Sequence, residues 1–222
     1  MDKGERICIF FLLLLILIFS IILVYRIKSG PQYNEKLYNE VYEEYGQLFE
    51  NNKEEPEGDN ISNSRKKDNA IYIRVDAQGN EYRVIGKIVI PKISIQYPII
   101  YETSESYLKI APTKLFGPDI NEVGNLCIVG HNYRNKQFFS RLSELNIGDK
   151  VYLTSNNGND MTYLVYDKYE IEENDMECTS QDTKGNIELT LITCTSKKKK
   201  RLVVKCKAWN FIKNNIKLIK NV

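Results

Sequence analysis

Residues 187–209 read IELTLITCTSKKKKRLVVKCKAW. Ile187–Cys194 and Arg201–Trp209 are rich in Ile, Leu, Val and Thr, which suit a pleated, half-buried surface. Between them lies Thr195–Lys200, a polar segment ending in a run of lysines. Two such runs joined by a short polar segment predict a β-hairpin. That hairpin sets Arg201 across from Cys194.

Upstream, the same texture recurs in Ile71–Val75, Tyr82–Ile90, Ile95–Ile100, Leu126–Gly130, Lys150–Thr154 and Met161–Ile171. Gly, Asn, Asp and Pro break the runs. Ala77–Asn80 and Asn156–Asn159 are predicted as hairpin turns, and Phe138–Leu145 as a short helical turn. Eight strands with few helices predict a closed β-barrel or a sandwich.

The N-terminal third has a different texture. Ile7–Val24 (ICIFFLLLLILIFSIILV) carries one hydroxyl, Ser20, and no charge. At about 1.5 Å per residue it reaches roughly 27 Å, near the thickness of a hydrocarbon core. No small-residue cleavage site follows, so the run predicts an uncleaved transmembrane signal anchor over residues 7–25, with residues 1–6 cytoplasmic. Lys3 and Arg6 precede it, Arg26 and Lys28 follow it, and charge alone leaves its orientation open. Tyr33, Leu37, Val41, Tyr45 and Leu48 recur at helical spacing and predict a juxtamembrane helix. Residues 51–70 have almost no apolar side chains and predict a linker, so residues 26–70 join the anchor to a domain over 71–222. Lysines at 213, 217 and 220 exclude a second span in the tail.

Across its 222 residues the chain has 31 basic and 29 acidic side chains. A net charge of +2 gives no reason to expect nucleic acid as a partner. The single histidine excludes a multi-histidine metal site. Cysteines at 8, 127, 178, 194 and 206 are odd in number and never spaced CxxC, which excludes a zinc ribbon and a dense disulfide scaffold.

His131 ends the apolar run Cys127–Gly130, where it is either a structural strand-end histidine or an acid–base group. Cys194 ends Ile187–Thr193 beside polar Thr195 and Ser196; taken alone it is a small core residue or a reactive thiol. Arg201 either finishes the solvated lysine run or stabilises a thiolate or an oxyanion. Cys127 and Cys206 sit in apolar runs and read as core, and Cys178 falls in a polar loop. Together, His131, Cys194 and Arg201 at strand ends compose a thiol acyl-transfer site. Histidine before cysteine excludes a papain-like order, and the Ile-Thr-Cys-Thr-Ser context excludes a caspase-like one.

Thr190-Leu191-Ile192-Thr193-Cys194 resembles the TLxTC signature of the sortases. Gly130-His131-Asn132, with His131 63 residues before Cys194, is similar to that family's histidine context, and Arg201 is similar to its arginine. The resemblance covers about residues 85–209. It implies an eight-stranded β-barrel preceded by a transmembrane helix, with the N-terminus cytoplasmic and the domain extracellular. It also implies a membrane-anchored cysteine transpeptidase that cleaves an LPxTG-like C-terminal sorting signal through a thioacyl-enzyme and passes the acyl group to a cell-wall amine. Cys194 would be the nucleophile, His131 the acid–base group and Arg201 the oxyanion partner, with Thr193 orienting substrate. The implied partners are secreted proteins with sorting signals, a peptidoglycan-precursor amine and membrane lipid, with no nucleic acid. No cofactor is implied. Asp119 and Glu122 are candidates for part of the calcium site of some class A members, but Gln181 stands where an acid is expected and Asp182 lies beside it. The absence of a second span and of an Asp-Pro-aromatic lid argues against class C. The 15 residues between Ile171 and Ile187 are too few for the class B insertion, so the chain resembles class D or class A. A hydrolytic thiol peptidase with the same residues, or a surface-anchored β-barrel binding module without chemistry, are the rival readings.

Overall fold

The computed structural model describes residues 3–54, 71–74, 81–133, 137–196 and 199–209. It divides into two units, Met1–Leu37 and Tyr38–Val222.

The second unit is built from nine strands: β1 (Ile71–Arg74), β2 (Glu81–Ile90), β3 (Ile95–Ile100), β4 (Thr113–Phe116), β5 (Gly124–Val129), β6 (Lys150–Ser155), β7 (Asp160–Glu172), β8 (Ile187–Cys194) and β9 (Lys200–Ala208). Their order is β1-β2-β3-β4-β5-β8-β9-β7-β6, and β2 also pairs with β6. That last pairing closes β2 to β9 into an eight-stranded ring and removes its free edges. Alternation along β2 sends Ile88 and Ile90 inward with no exposure. Leu126 and Ile128 of β5, Leu189 and Leu191 of β8 and Val204 of β9 join Ile88 and Ile90 in the core.

The predicted barrel is present, with a correction to its membership. β1 was counted in the ring but stands outside it, paired only with the start of β2 (Ile71↔Val84, Arg74↔Glu81). β4 was not predicted and belongs to the ring. It is four residues long, carries Lys114 and lies between Pro112 and Gly117, so it shows no apolar run. Gly117, at φ +98°, is required there: a Cβ would come within 2.1 Å of the Asn125 carbonyl oxygen. The turn predicted at Asn156–Asn159 joins β6 to β7, with Gly158 N–H donating to Ser155 O at 2.9 Å. A 3-10 turn at Leu142–Glu144 lies within the predicted helical segment. The turn expected at Ala77–Asn80 and the tail from residue 210 lie outside the described residues, as do residues 55–70 of the expected linker.

α1 runs from Lys3 to Glu54. Within the second unit it turns Val41, Tyr45 and Phe49 inward at i, i+4 spacing, each at most 2% exposed. Tyr45 O–H donates to Asn156 Oδ1 at 3.2 Å, and Asn156 Nδ2 donates to Val84 O at 2.6 Å.

The expected membrane anchor is corrected. Among the described residues, no helix is long and apolar enough to cross a membrane. The transmembrane helix in the fold and the single-pass topology with a cytoplasmic N-terminus rested on that span and are corrected with it.

Candidate active site

β5 and β8 are parallel neighbours with Val129 level with Ile192. Gly130 N–H continues the ladder by donating to Ile192 O at 3.1 Å. His131 and Cys194 are each two residues past that level pair, so the two strands deliver them to the same height. β8 and β9 are antiparallel, and Cys194 is paired with Arg201. The three residues therefore form a row across three adjacent strands at one rim. Leu189 and Leu191 face the core, so Cys194, at the opposite parity, projects from the outer face.

Among the described cysteines Cys194 is exposed, whereas Cys127, Cys178 and Cys206 are buried. Burial pushes the Cys127 thiol up to about 12, the Lys205 charge opposing it only in part. Burial raises Cys178 and Cys206 as well. These three are held as thiols, and a thiol is a poor nucleophile.

His131 is half-buried, its ring centroid 4.9 Å from that of Tyr133. Burial lowers its proton affinity first, the Lys109 charge lowers it further, and Glu105 pulls the other way. Gly130 permits the close approach behind it, because a Cβ there would lie 2.8 Å from the Phe139 ring. Asn132 Nδ2 donates to Cys194 O at 2.7 Å and ties the histidine segment to the cysteine strand.

Arg201 places Nη2 3.7 Å from Glu173 Oε1. Its Nε is buried and has no hydrogen-bond partner among the described residues.

Thr193, expected to orient substrate, is 2% exposed. Its hydroxyl donates to Gly130 O at 2.7 Å, so it clamps β8 to β5 from the inner side. The calcium candidates are engaged elsewhere. Asp119 pairs with Lys114 Nζ at 2.8 Å, and its N–H donates to Glu122 Oε2. Asp182 pairs with Lys184. Among the described residues no group of three or more His, Cys, Asp or Glu could hold a metal ion.

Sequence reasoning missed the polar framework beneath the row. Asn125 is buried; its Nδ2 donates to Cys178 O and Ser180 O, and its Oδ1 accepts from Thr190 Oγ1 at 2.6 Å. Lys205 Nζ donates to Thr190 Oγ1 at 2.9 Å and to Cys178 O at 3.1 Å. Gln181 Nε2 donates to Asn125 O at 2.9 Å. The segment before β8 is thus pinned to β5, β8 and β9 below Cys194. Asn125 is the detectable signal: a polar residue at the start of a buried apolar run needs partners.

A family model described as the sortase domain matches residues 88–209. Sortase A of Bacillus anthracis is 33% identical over 132 residues, 58% of this chain and 61% of that protein. Sortase A of Listeria monocytogenes is 27% identical over 112 residues, 50% of this chain and 49% of that one. The chain thus matches about three fifths and one half of the lengths of these relatives. Among solved structures, Listeria monocytogenes sortase A aligns with a TM-score of 0.52 at 25% identity over 56% of this chain and 86% of that one. A Clostridium perfringens sortase D5 transpeptidase aligns at 0.51 and 25% identity, over 56% and 78%.

Proposed function

The chain belongs to the sortase family, and we propose that it is a cysteine transpeptidase acting on proteins that carry an LPxTG-like sorting signal. The carrying observation is the level row of His131, Cys194 and Arg201, in which Cys194 is the exposed thiol and Arg201 holds an unpaired N–H.

The Cys194 thiolate attacks the carbonyl carbon of the motif's threonine. The N–H of Arg201 Nε donates to the resulting oxyanion, and such a donor acts where charge develops. His131, as imidazolium, protonates the departing amine; the C–N bond breaks and the acyl group remains on sulfur as a thioester. Neutral His131 then takes a proton from an incoming amine, which attacks the thioester and releases Cys194. A peptidoglycan-precursor amine is the acceptor this reading assigns. The scheme needs no metal or cofactor. We assign it to the domain over 71–222, and the short segment between β7 and β8 favours a class D or class A-like enzyme.

Mass spectrometry tests this reading. After incubation with sorting-motif peptides, a thioacyl adduct should form on Cys194 and convert to amide on adding triglycine or a diaminopimelate-type amine. Adduct followed only by hydrolysis would make the chain a thiol peptidase. Failure of iodoacetamide to label Cys194 would make it a binding module.

A further inference from the structure

α2 (Glu105–Leu108) stands beside the catalytic row without contributing a strand to it. β4 opens at Thr113, level with Val129 near the end of β5, and the two strands are antiparallel. The residues that precede Thr113 therefore run alongside those that follow Val129, and α2 is carried to the histidine end of the row. Its position is fixed from three sides. Ser104 Oγ accepts from Tyr107 N–H at 3.1 Å, Ile110 and Ala111 N–H both donate to Tyr107 O, and the Tyr82 and Tyr107 rings meet edge to face at 5.1 Å.

On this helix Lys109 Nζ lies 3.1 Å from Glu105 Oε1, one turn apart, and the Glu105 side chain is 84% exposed. Exposed pairs of this kind hold their partners weakly and exchange them readily. The Glu105 charge is felt by both His131 and Tyr133. The charges acting on His131 are Glu105 on α2 and Lys109 at its end; Tyr133 packs on the ring, and Cys194 on β8 and Arg201 on β9 stand at the same level of the rim. Glu173 is engaged by the guanidinium. Among the described residues Glu105 pairs with the Lys109 ammonium, and an ammonium is what an acyl acceptor brings.

We propose that Glu105 docks the ammonium of the acyl acceptor, displacing Lys109 and delivering the amine beside His131. The proposal rests on the transpeptidase reading above and adds a specificity-determining carboxylate to it. The resting protein keeps the site filled with its own lysine. On exchange, His131 takes one proton from the bound ammonium and the freed nitrogen lone pair attacks the thioacyl carbonyl. The C–S bond breaks, and the second proton of that nitrogen ends on the Cys194 sulfur. A neutral imidazole suits the first step, and both burial and Lys109 favour it. The acceptor class selected is a primary amine charged at neutral pH.

The full chain, preloaded with a sorting-motif peptide, is tested with triglycine as charged acceptor and hydroxylamine as a largely uncharged one. Glu105→Gln should raise the KM for triglycine about threefold and Lys109→Met should lower it about threefold, the scale of one surface ion pair. The KM for hydroxylamine should move with neither. Triglycine KM values moving in the same direction, or hydroxylamine moving equally, overturn the proposal. Because the chain has one histidine, its imidazole NMR signal gives a readout without turnover. Lys109→Met should move its titration midpoint upward and Glu105→Gln downward; no shift in either overturns the placement of the pair. If wild type forms the adduct yet never transfers to any amine, the transpeptidase reading fails, and the docking role falls with it. Normal wild-type transfer with unresponsive variants refutes the docking role alone.

Discussion

Two patches on the outer surface of one barrel are finished in opposite ways. Over β2, α1 lays Val41, Tyr45 and Phe49 on the wall, and the buried polar groups form a closed chain from Tyr45 O–H through Asn156 to the Val84 carbonyl. At the rim of β5, β8 and β9 the thiol is left open and a buried guanidinium N–H has no partner among the described residues. An unmet buried donor costs about 1–3 kcal/mol. The first patch is completed by the chain's own side chains, so it serves stability. On the proposed mechanism a substrate oxygen completes the second, so its cost in the resting state becomes binding in the transition state.

The largest effect separates the patches outright. Cys194→Ala should reduce both cleavage and transfer by about 10⁴ or more, since removing a nucleophile leaves only binding and electrostatics. Cys127→Ala and Cys206→Ala should retain turnover, because those thiols are buried. Peptide cleavage measured by chromatography decides it, and normal turnover by Cys194→Ala would sink the mechanism. On the helix side, Phe49→Ala should destabilise the second unit by about 3–5 kcal/mol, the usual cost of emptying a buried aromatic site. The adduct rate of the folded fraction should change little. Urea melts and single-turnover mass spectrometry check the two halves, and an unchanged midpoint would mean that α1 is not part of the folded unit.

Arg201→Lys tests the other patch. Lysine keeps the charge and loses the planar fork of donors. Removing an oxyanion donor typically costs about 10²–10³ in turnover. The KM for peptide should move far less. A wild-type kcat would assign Arg201 to the solvated lysine run and leave the oxyanion without its donor.

How much of this was legible follows from where each signal is stored. β2, β8 and β9 announce themselves because alternation and β-branched residues are local. β4 does not: it is four residues long, interrupted by Lys114 and ending in exposed Phe116, and its membership depends on pairing with β5. Ring closure by β2 with β6 is likewise nonlocal. Cys194 opposite Arg201 was readable because a hairpin converts spacing into position. The place of Thr193 was not legible because a motif gives no parity: one residue from an outward Cys194, its hydroxyl bonds Gly130 O. Glu105 and Lys109 were invisible, since only the β4–β5 register carries them to His131. The anchor was read from hydropathy over residues 7–24, and among the described residues no helix is long and apolar enough to cross a membrane.

The smallest effect concerns His131. Its proton affinity is depressed below the ordinary value of 6.5, first by burial and then by Lys109, with Glu105 opposing. At low pH the free enzyme carries imidazolium and thiol together, one proton too many for attack. The rate rises as that proton leaves, so the acid limb of kcat/KM should lie below 6.5. A limb at or above that value would contradict the burial. Stability should carry the same signature. The unfolded chain takes the proton first, so the folded state loses stability as pH falls from about 6.5 to the depressed folded value, and no further below it. His131→Asn should remove that slope and leave the contribution of the carboxylates in place. Urea midpoints for wild type and His131→Asn across pH 7 to about 5 therefore measure the burial of one ring: parallel curves would show that His131 is as hydrated folded as unfolded, and that the open patch is open all the way to its base.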